Sequence, residues 1–593
     1  MYQRCLPPNR LSLSRGLAEE GDEWSVTAAG DPVVLDGYAA KRCPVRIHNN
    51  FSPLVLTLKE VRSEEQQAII DAGNAFEAEI FAELLKIHPT AVLVDPRLGK
   101  YEAIAMTVAA AECGAPLVLG GTLPDDIAGG RSGKPDILIK VDGGYLPADV
   151  KHHKTIELAK RKAMRVSSLV KPGILLDAER STISEHYYDD CLQLAHYTRM
   201  LQACGLHPGD DRLTGAILGK SLVRLADEDP ERVFVWYDLA APVRYTFSRS
   251  RGKVRRSILE CYDHEHDFRV QVAARACRIT GSGDDPEPLV VPIGYKDCPG
   301  CPYEQWCAEQ MGPDDASVAI TRGRLDTREW RTLRRMGFRS VEALAGLEPE
   351  NPAFFDEYYP EVAHLSRNQA LKRLRGAVQQ AQLIREGIFF EPKADSPVDV
   401  PRAEIEIDFD IEWDKSNRIY QWGLRVREGQ DEVTARYEPV VSFDDLDDDA
   451  ELALAEQAAA RIMQLRVEAE KAGKTVAVYH WHHVEVSNTR NFGCVTAALD
   501  GITLDLLSWF AGTFRVRGSA GIKTIAQLFG FNWAVDDPGG RLSMLKIDVA
   551  RAGGPDAAEA KQWCLDYNES DVAAQAVIRD GLRAMFPDGK AGD

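Results

Sequence analysis

Residues 133–151 read GKPDILIKVDGGYLPADVK, and this stretch decides the fold of the N-terminal half. Asp136 opens a run of β-formers, Asp142-Gly143 supplies a tight turn, and a second strand follows with Asp149-Val150-Lys151. Alternation along the second strand puts Asp149 and Lys151 on one face, and the hairpin returns Asp136 beside them. Two carboxylates and an ammonium are thereby expected at one end of a small sheet. Phosphodiester hydrolysis calls for such a set. Carboxylate oxygens hold Mg²⁺ or Mn²⁺, the metal acidifies a water, and the cation steadies charge in the transition state. Asp-x-Lys alone recurs by chance; the Pro-Asp before it and the hairpin between make the pattern informative.

The flanks add two pieces. Upstream, Gly73-Asn74-Ala75-Phe76-Glu77 is expected to begin an amphipathic helix with a carboxylate four residues after the glycine. Downstream, CLQLAHYTR over Cys191 to Arg199 predicts a helix with Gln193 and Tyr197 one turn apart on one face. In this order the motifs resemble those of RecB-type PD-(D/E)XK nucleases. That resemblance implies Glu77, Asp136 and Asp149 as metal ligands, Lys151 as the catalytic lysine, and Gln193 and Tyr197 as supports of the site and of DNA. Many members have histidine where Glu77 stands, and Glu79 is a competing carboxylate nearby.

Twelve cysteines are present. Three of them, Cys298, Cys301 and Cys307, have C-x₂-C-x₅-C spacing, and the local sequence offers no fourth ligand. Cys43 shares the Cys-Pro pairing of Cys298 and Cys301 and is the candidate, with Cys5 as competitor. One ligand before the nuclease motifs and three after them resembles the iron–sulfur nucleases, including CRISPR-associated exonucleases, the AddB subunit and eukaryotic helicase-nucleases. The resemblance implies a [4Fe–4S] cluster of structural rather than redox role; zinc on the same thiolates is the alternative. The other cysteines lack ligand spacing and are expected to be small buried hydrophobes.

After residue 400, EIEIDFDIEW, a segment from Arg418 to Arg425, a long helix from about Ala450 to Ala472 and TVAVYHW alternate as an α/β domain. Asp410 and Glu412 fall at the end of the first strand. Tyr479 to Glu485 is expected as one strand, and Tyr567-Asn568-Glu569-Ser570-Asp571 as the opening of a helix. These pieces resemble DnaQ-like exonucleases of the ribonuclease H fold, with YprB-type domains nearest. The resemblance implies metal ligands Asp410, Glu412, Glu485 and Asp571, with Tyr567 orienting water. Glu485 stands where that family has aspartate. His480, His482 and His483 are candidate ligands or buried strand residues, and Asp505 is an added carboxylate without assigned use.

Breaks at about residues 312 and 398 divide the 593 residues into an iron–sulfur PD-(D/E)XK core (1–312), a helical middle (313–398) and a ribonuclease H-like domain (399–593). MGPDDA over Met311–Ala316 and EPKADSPVDVP over Glu391–Pro401 read as linkers. In the middle, a helix pattern breaks at Gly337 and restarts after Ser340, resembling helix-hairpin-helix modules. The fold class is therefore multidomain α/β. Two near-matches to a P-loop, at Gly133-Lys134 and Gly473-Lys474, fail, so ATP use is not indicated. Met1 to Glu20 lacks an apolar core for a signal peptide, and Ala103 to Gly121 reads as a buried helix and strand; a cytoplasmic protein without membrane segments is expected.

A net charge of −20 excludes uniform attraction to phosphate, so nucleic acid must be met by metal or by local basic surface. Two basic runs lie near the carboxylate motif. One holds Lys151, His152, His153, Lys154, Lys160, Arg161, Lys162 and Arg165; the other holds Arg244, Arg249, Arg251, Lys253, Arg255 and Arg256. The expected activity is Mg²⁺- or Mn²⁺-dependent hydrolysis of DNA, single strands or strand ends, in repair or recombination, with a helicase or other repair protein as partner. The alternatives are a 3′-exonuclease on DNA or RNA housed in the C-terminal domain, and a non-catalytic nucleic-acid scaffold.

Overall fold

The computed structural model describes residues 32–55, 64–184, 186–225, 230–248, 251–295, 297–321, 325–393, 397–536 and 539–587. The chain is mixed α/β and divides into two compact units. The N-terminal unit holds Met1–Pro313, Thr327–Glu329 and Asp356–Ala370; the C-terminal unit holds Asp314–Asp326, Trp330–Phe355 and Leu371–Asp593. The helices of the expected middle domain are thus shared out between them. There, Gly337 adopts φ +93° and the Ser340 hydroxyl caps the next helix by accepting from Ala343 N, so the break and restart fall where the sequence placed them.

The N-terminal unit is built on an eight-stranded sheet. Its strands are β1 (Val92–Leu93), β2 (Leu117–Leu119), β3 (Ile137–Val141), β4 (Gly144–Val150), β5 (Ile156–Ser168), β6 (Leu176–Ile183), β7 (Thr214–Val223) and β8 (Glu231–Asp238), in the order β1-β2-β3-β4-β7-β8-β5-β6. A separate two-stranded ribbon joins β9 (Pro242–Ser248) to β10 (Gly252–Ser257). The helices are α1 (Pro44–Phe51), α2 (Glu64–Ile87), α3 (Lys100–Glu112), α4 (Tyr187–Ala203), α5 (Ile258–Ala276) and α6 (Glu304–Met311).

Central strands β2 and β3 are apolar on both faces because both are covered. Phe76, Ile80 and Leu84 of α2, spaced by one helical turn, pack on Leu117, Leu119, Ile137, Ile139, Leu146 and Ala148. The opposite face packs α3 and α4 through Ala103, Ala110, Tyr197, Met200 and Leu201 against Val118, Leu138 and Tyr145. Burying each large apolar chain contributes roughly 1.5–3 kcal/mol. One expectation changes here: α2 begins at Glu64, so Gly73 lies inside the helix instead of opening it. An interior glycine costs a helix only about 1 kcal/mol, which the packing of α2 outweighs.

In the C-terminal unit a six-stranded sheet contains β12 (Ile405–Trp413), β13 (Ile419–Glu428), β14 (Asp431–Tyr437), β16 (Val476–His480) and β17 (Thr503–Asp505) in the order β14-β13-β12-β16-β17, with β15 (Val440–Val441) beside β13. Strands β12, β16 and β17 run parallel, and β13 is antiparallel to β12. Outside the sheet, β11 (Phe390–Pro392) pairs with β18 (Phe514–Val516). From residue 316 on, the helices along the chain are α7 (Ala316–Ala319), α8 (Thr327–Arg335), α9 (Val341–Ala345), α10 (Pro352–Tyr358), α11 (Arg367–Glu386), α12 (Asp448–Ala472), α13 (His483–Asn488), α14 (Gly493–Leu499), α15 (Leu506–Thr513), α16 (Ile522–Leu528), α17 (Gly540–Ala552) and α18 (Ala557–Met585).

Four expectations are corrected. The strand of Tyr479 ends at His480, because His482 caps α13 with its ring accepting from Val484 N, so Glu485 is helical. Tyr567 and Asp571 lie inside α18, not at its start. The second linker is not one in substance, while the first holds the division between the units, Pro313 to Asp314, with buried structure starting just beyond it. Asp315 is buried and ion-paired with Arg334 and Arg339, while β11, Val398 and Val400 join a core with Phe510 and Phe514. Cys113 is exposed rather than buried. Gly473 is the left-handed C-cap of α12, consistent with the rejected P-loop. Among the described residues, no helix is long and apolar enough to cross a membrane.

Candidate functional site

In the N-terminal unit the β3–β4 hairpin forms as read, with Gly143 at φ +88° in the turn. Ile137 pairs with Ala148, so Asp136 and Asp149 are next in line across the hairpin. Asp136 Oδ2 accepts from Val150 N at 2.8 Å, and Lys151 Nζ donates to Asp149 Oδ2. Lys151 also donates to Gln193 Oε1 at 3.2 Å, and Gln193 Nε2 donates to the Tyr197 hydroxyl at 3.1 Å. Asp149, Gln193 and Tyr197 are all buried, and Asp149 Oδ1 has no hydrogen-bond partner. Gly133 makes room for this arrangement: a Cβ there would sit 2.8 Å from the Tyr197 ring.

The electrostatics follow from burial and proximity. Burial, and then the charge of Asp149, pushes the Asp136 carboxyl well above the usual carboxylate range. Burial alone would lower the Lys151 ammonium, but Asp149 and Asp136 overcome it and leave its pKa raised. Glu77 is raised by burial, opposed by Lys134 and reinforced by Asp149. It comes from α2, on the other face of the sheet, and does not complete a group of three oxygens within 4.8 Å with the two aspartates. Glu79 is turned elsewhere, paired with Arg232 at 2.8 Å.

Two participants escaped the sequence reading. Lys41 Nζ donates to Gln193 Oε1 at 3.4 Å, and the Tyr38 hydroxyl reaches the same side chain. Burial and Lys151 lower the Lys41 ammonium; burial raises the Tyr38 phenol. Their signal was adjacency to Cys43. A fourth thiol ligand there would bring the preceding residues to the unit's interior.

The thiols of Cys43, Cys298, Cys301 and Cys307 line one pocket with Val45, Ile293 and Tyr303. Burial and the other three thiols push Cys307 up to about 12. Cys43 is the N-cap of α1, where the Val45 and Arg46 amides meet its sulfur. Asn49 Nδ2 donates to Cys307 Sγ at 3.7 Å and Tyr295 N to Cys298 Sγ at 3.3 Å. No three of these sulfurs lie within 4.8 Å of one another. Cys5 lies outside the described residues.

In the C-terminal unit Asp410, Glu412 and Asp571 offer carboxylate oxygens within 4.8 Å of one another. β12 supplies the first two, with a register shift just after Glu412, and α18 supplies the third. Asp410 accepts from Asn568 Nδ2 at 2.8 Å, Glu412 from the Ser543 hydroxyl at 2.8 Å, and Asp571 from Trp533 Nε1 at 2.7 Å. Burial raises all of them, reinforced by repulsion from neighbouring carboxylates at Asp410 and Glu412: Asp410 lies well above its usual range, Glu412 reaches about 8, and Asp571, by burial that Trp533, Lys523 and Tyr567 oppose, about 6. Glu485 is raised to about 7 by burial, then by Asp505 and Asp571, and its Oε2 is buried without a hydrogen-bond partner.

Tyr567 stacks on Trp563 at 5.1 Å, its hydroxyl reaches Asp571, and the Lys523 ammonium stands 5.3 Å from its ring. His480 is buried, bonded to the His482 carbonyl at 2.7 Å and 3.9 Å from Glu485. His482 serves as the α13 cap and His483 is exposed. Asp505 caps α15, which gives that carboxylate a structural use. Asn568, Ser543 and Trp533 were not singled out from sequence. Asn568 had a signal, since Tyr567, Asn568 and Asp571 make a polar face at helical spacing.

Comparison with protein-family models, with curated proteins and with solved structures returned no match.

Proposed function

We propose that the N-terminal unit is a divalent-metal-dependent deoxyribonuclease of the RecB-like PD-(D/E)XK type, cutting single strands or strand ends in DNA repair or recombination. One observation carries it: Asp136, Asp149 and Lys151 converge at the end of the β3–β4 hairpin, with Asp149 Oδ1 buried and lacking a donor. A desolvated carboxylate oxygen is costly unless a cation or donor meets it. Hard oxygen donors fit Mg²⁺ or Mn²⁺; Asp136 and Asp149 would hold the ion, and Glu77, whose charge is felt by both Asp136 and Lys151, is the nearest further carboxylate. Such an ion, when bound, acidifies water and offsets charge building on the phosphoryl oxygens.

The protein's own groups do the rest. Lys151 keeps its proton at neutral pH, because the aspartates raise its pKa, and presents a positive charge to the phosphate. Gln193 fixes that ammonium and the Lys41 ammonium through one carbonyl oxygen, and Tyr197 fixes Gln193. The α3–α4 layer keeps water from the back of the site.

For the four thiols we propose a [4Fe–4S] cluster. Soft thiolates favour zinc or iron–sulfur, and the ligand order, one cysteine before the hairpin and three after it, favours the latter. The cluster would close a loop of roughly 250 residues and remove chain entropy from the unfolded state.

A second reading places a 3′-exonuclease on DNA or RNA in the C-terminal unit. The carboxylate trio within 4.8 Å favours it, and the strand order β14-β13-β12-β16-β17 supports a ribonuclease H-like fold. The full chain, incubated with end-labelled single strands and Mn²⁺, is expected to cleave them and to stop in EDTA. No cleavage under these conditions would favour a scaffold. Brown protein with thiolate-to-iron absorbance is expected on anaerobic purification; a colourless protein containing zinc would overturn the cluster.

A further inference from the structure

The nuclease reading leaves the β9–β10 ribbon without a role. Its register pairs Arg244 with Arg256, Tyr245 with Arg255, Thr246 with Val254 and Phe247 with Lys253. Directly paired residues share a face, and the faces alternate along the strands. One face therefore carries Arg244, Thr246, Val254 and Arg256. On it the Arg244 guanidinium lies 3.7 Å from the centre of the Tyr188 ring, which anchors the ribbon to the first turn of α4. The other face carries Val243, Tyr245, Phe247, Lys253 and Arg255. All five are exposed except Phe247, which is half-buried, and Tyr245 retains 62% of its surface.

That outer face sets Tyr245 opposite Arg255, with the Lys253 ammonium 5.0 Å from the Tyr245 ring; Phe247, opposite Lys253, is covered by the Arg328 guanidinium 5.2 Å from its ring and by His364, which leaves Tyr245 as the open ring of the face. Among the described residues, Arg244, Lys253, Arg255 and Arg256 have no carboxylate within ion-pair distance. Four such cations on one short ribbon stand out in a chain of net charge −20. Anchoring at Tyr188 also matters for position, since Tyr188 and Gln193 lie on the same helix, about 7 Å apart along its axis.

We infer that the outer face of the β9–β10 ribbon is the binding platform for a single-stranded polynucleotide, with Tyr245 stacking on a base and Lys253 and Arg255 holding flanking phosphates. An open ring flanked by cations suits a single strand, because unpaired bases expose π-faces while the backbone runs alongside. A duplex hides those faces. This deepens the nuclease function proposed above by naming where the strand lies before it meets Asp149.

Binding is measured apart from cleavage, by fluorescence anisotropy of the full chain with Ca²⁺ in place of Mn²⁺. The probes are oligo(dT) and oligo(rU) of about 30 nucleotides and a duplex of equal length. Tyr245→Ala is expected to weaken single-strand binding about tenfold, and Tyr245→Phe to restore it. The double change Lys253→Glu with Arg255→Glu is expected to lower the salt dependence by about one to two ions. The dT and rU arms tell DNA from RNA. Wild-type preference for the duplex, or unchanged single-strand affinity in Tyr245→Ala and in the charge-reversed variant, would overturn the platform. Cleavage by the wild-type chain in that case leaves the nuclease reading standing. Conversely, ribbon-dependent binding without any cleavage would keep the platform and remove the nuclease.

Discussion

The two carboxylate centres solve charge crowding in opposite ways. In the N-terminal unit Asp149 holds Lys151 at contact distance with Asp136 beside it, and Gln193 locks that lysine in place. In the C-terminal unit Asp410, Glu412, Asp571 and Glu485 crowd together, relieved mainly by neutral donors: Asn568, Ser543 and Trp533. Neutral donors orient carboxylates but do not cancel their charge. The first centre therefore holds a cation in contact with a carboxylate before metal arrives, whereas in the second burial and repulsion favour the protonated carboxylates and the nearby Lys523 ammonium offsets them only in part. An ammonium on the carboxylate belongs with phosphate chemistry; a pocket in which carboxylates outnumber cations belongs first with metal binding. The difference is why hydrolysis is proposed for the first centre and metal retention for the second.

Each centre also depends on a glycine, and the dependence can be broken. A Cβ at Gly423, which pairs with Asp410 across β12 and β13, would meet Asn568 Oδ1 at 1.8 Å. Gly423→Ala is expected to destabilise the protein by about 1–3 kcal/mol through overpacking. By displacing the Asn568 donor it should also weaken Mn²⁺ binding in calorimetric titration, while strand cleavage persists. Unchanged Mn²⁺ affinity would show that Asn568 does not organise the acidic pocket.

Acidity separates the centres next. Glu412 and Glu485 reach about 8 and 7 in the fold, above the ordinary glutamate value of about 4.3 in an unfolded chain. Folding therefore takes up protons between these limits, and this stability is lost as pH rises from about 5 to 8 in metal-free protein. The buried histidines of the N-terminal unit tilt the other way. Burial lowers His196 to about 3 and His266 to about 4, so their contribution grows as pH rises toward the unfolded value near 6.5. In EDTA, the melting-temperature advantage of wild type over Glu412→Gln is expected to shrink by a few degrees per pH unit above pH 6, and saturating Mn²⁺ to cancel that trend. A widening advantage would contradict the assigned charges.

The smallest effect tests which glutamate of α2 belongs to the first centre. Glu79→Gln, removing only the pair with Arg232, is expected to change cleavage less than about twofold, as exposed pairs contribute little. Glu77→Gln should lower it by about tenfold or more. The reverse ranking would reassign the ligand.

What the sequence disclosed followed the range of the interactions involved. The hairpin at Asp142-Gly143 and the Gln193–Tyr197 spacing are local, set by period and turn chemistry, and the structure places both as read. Cys43, Cys298, Cys301 and Cys307 line one pocket; the C-x₂-C-x₅-C spacing marked the last three and the shared Cys-Pro pairing marked the first. Lys41 and Tyr38 were hidden: their contact with Gln193 spans some 150 residues and leaves no periodic trace. Glu485 misled for a physical reason, since His482 can end a strand and cap a helix, and propensity alone does not separate those outcomes. Arg249 and the side chains of Lys160 and Arg161, counted in the basic runs, lie outside the described residues.

The most direct measurement is cleavage of a labelled single strand with Mn²⁺ by Asp149→Ala and, in parallel, by Asp410→Ala, each first shown to melt like the wild type. With the N-terminal centre as the active site, Asp149→Ala loses cleavage by about a hundredfold or more, and Asp410→Ala cleaves at close to the wild-type rate. Cleavage surviving in Asp149→Ala and vanishing in Asp410→Ala would contradict the account.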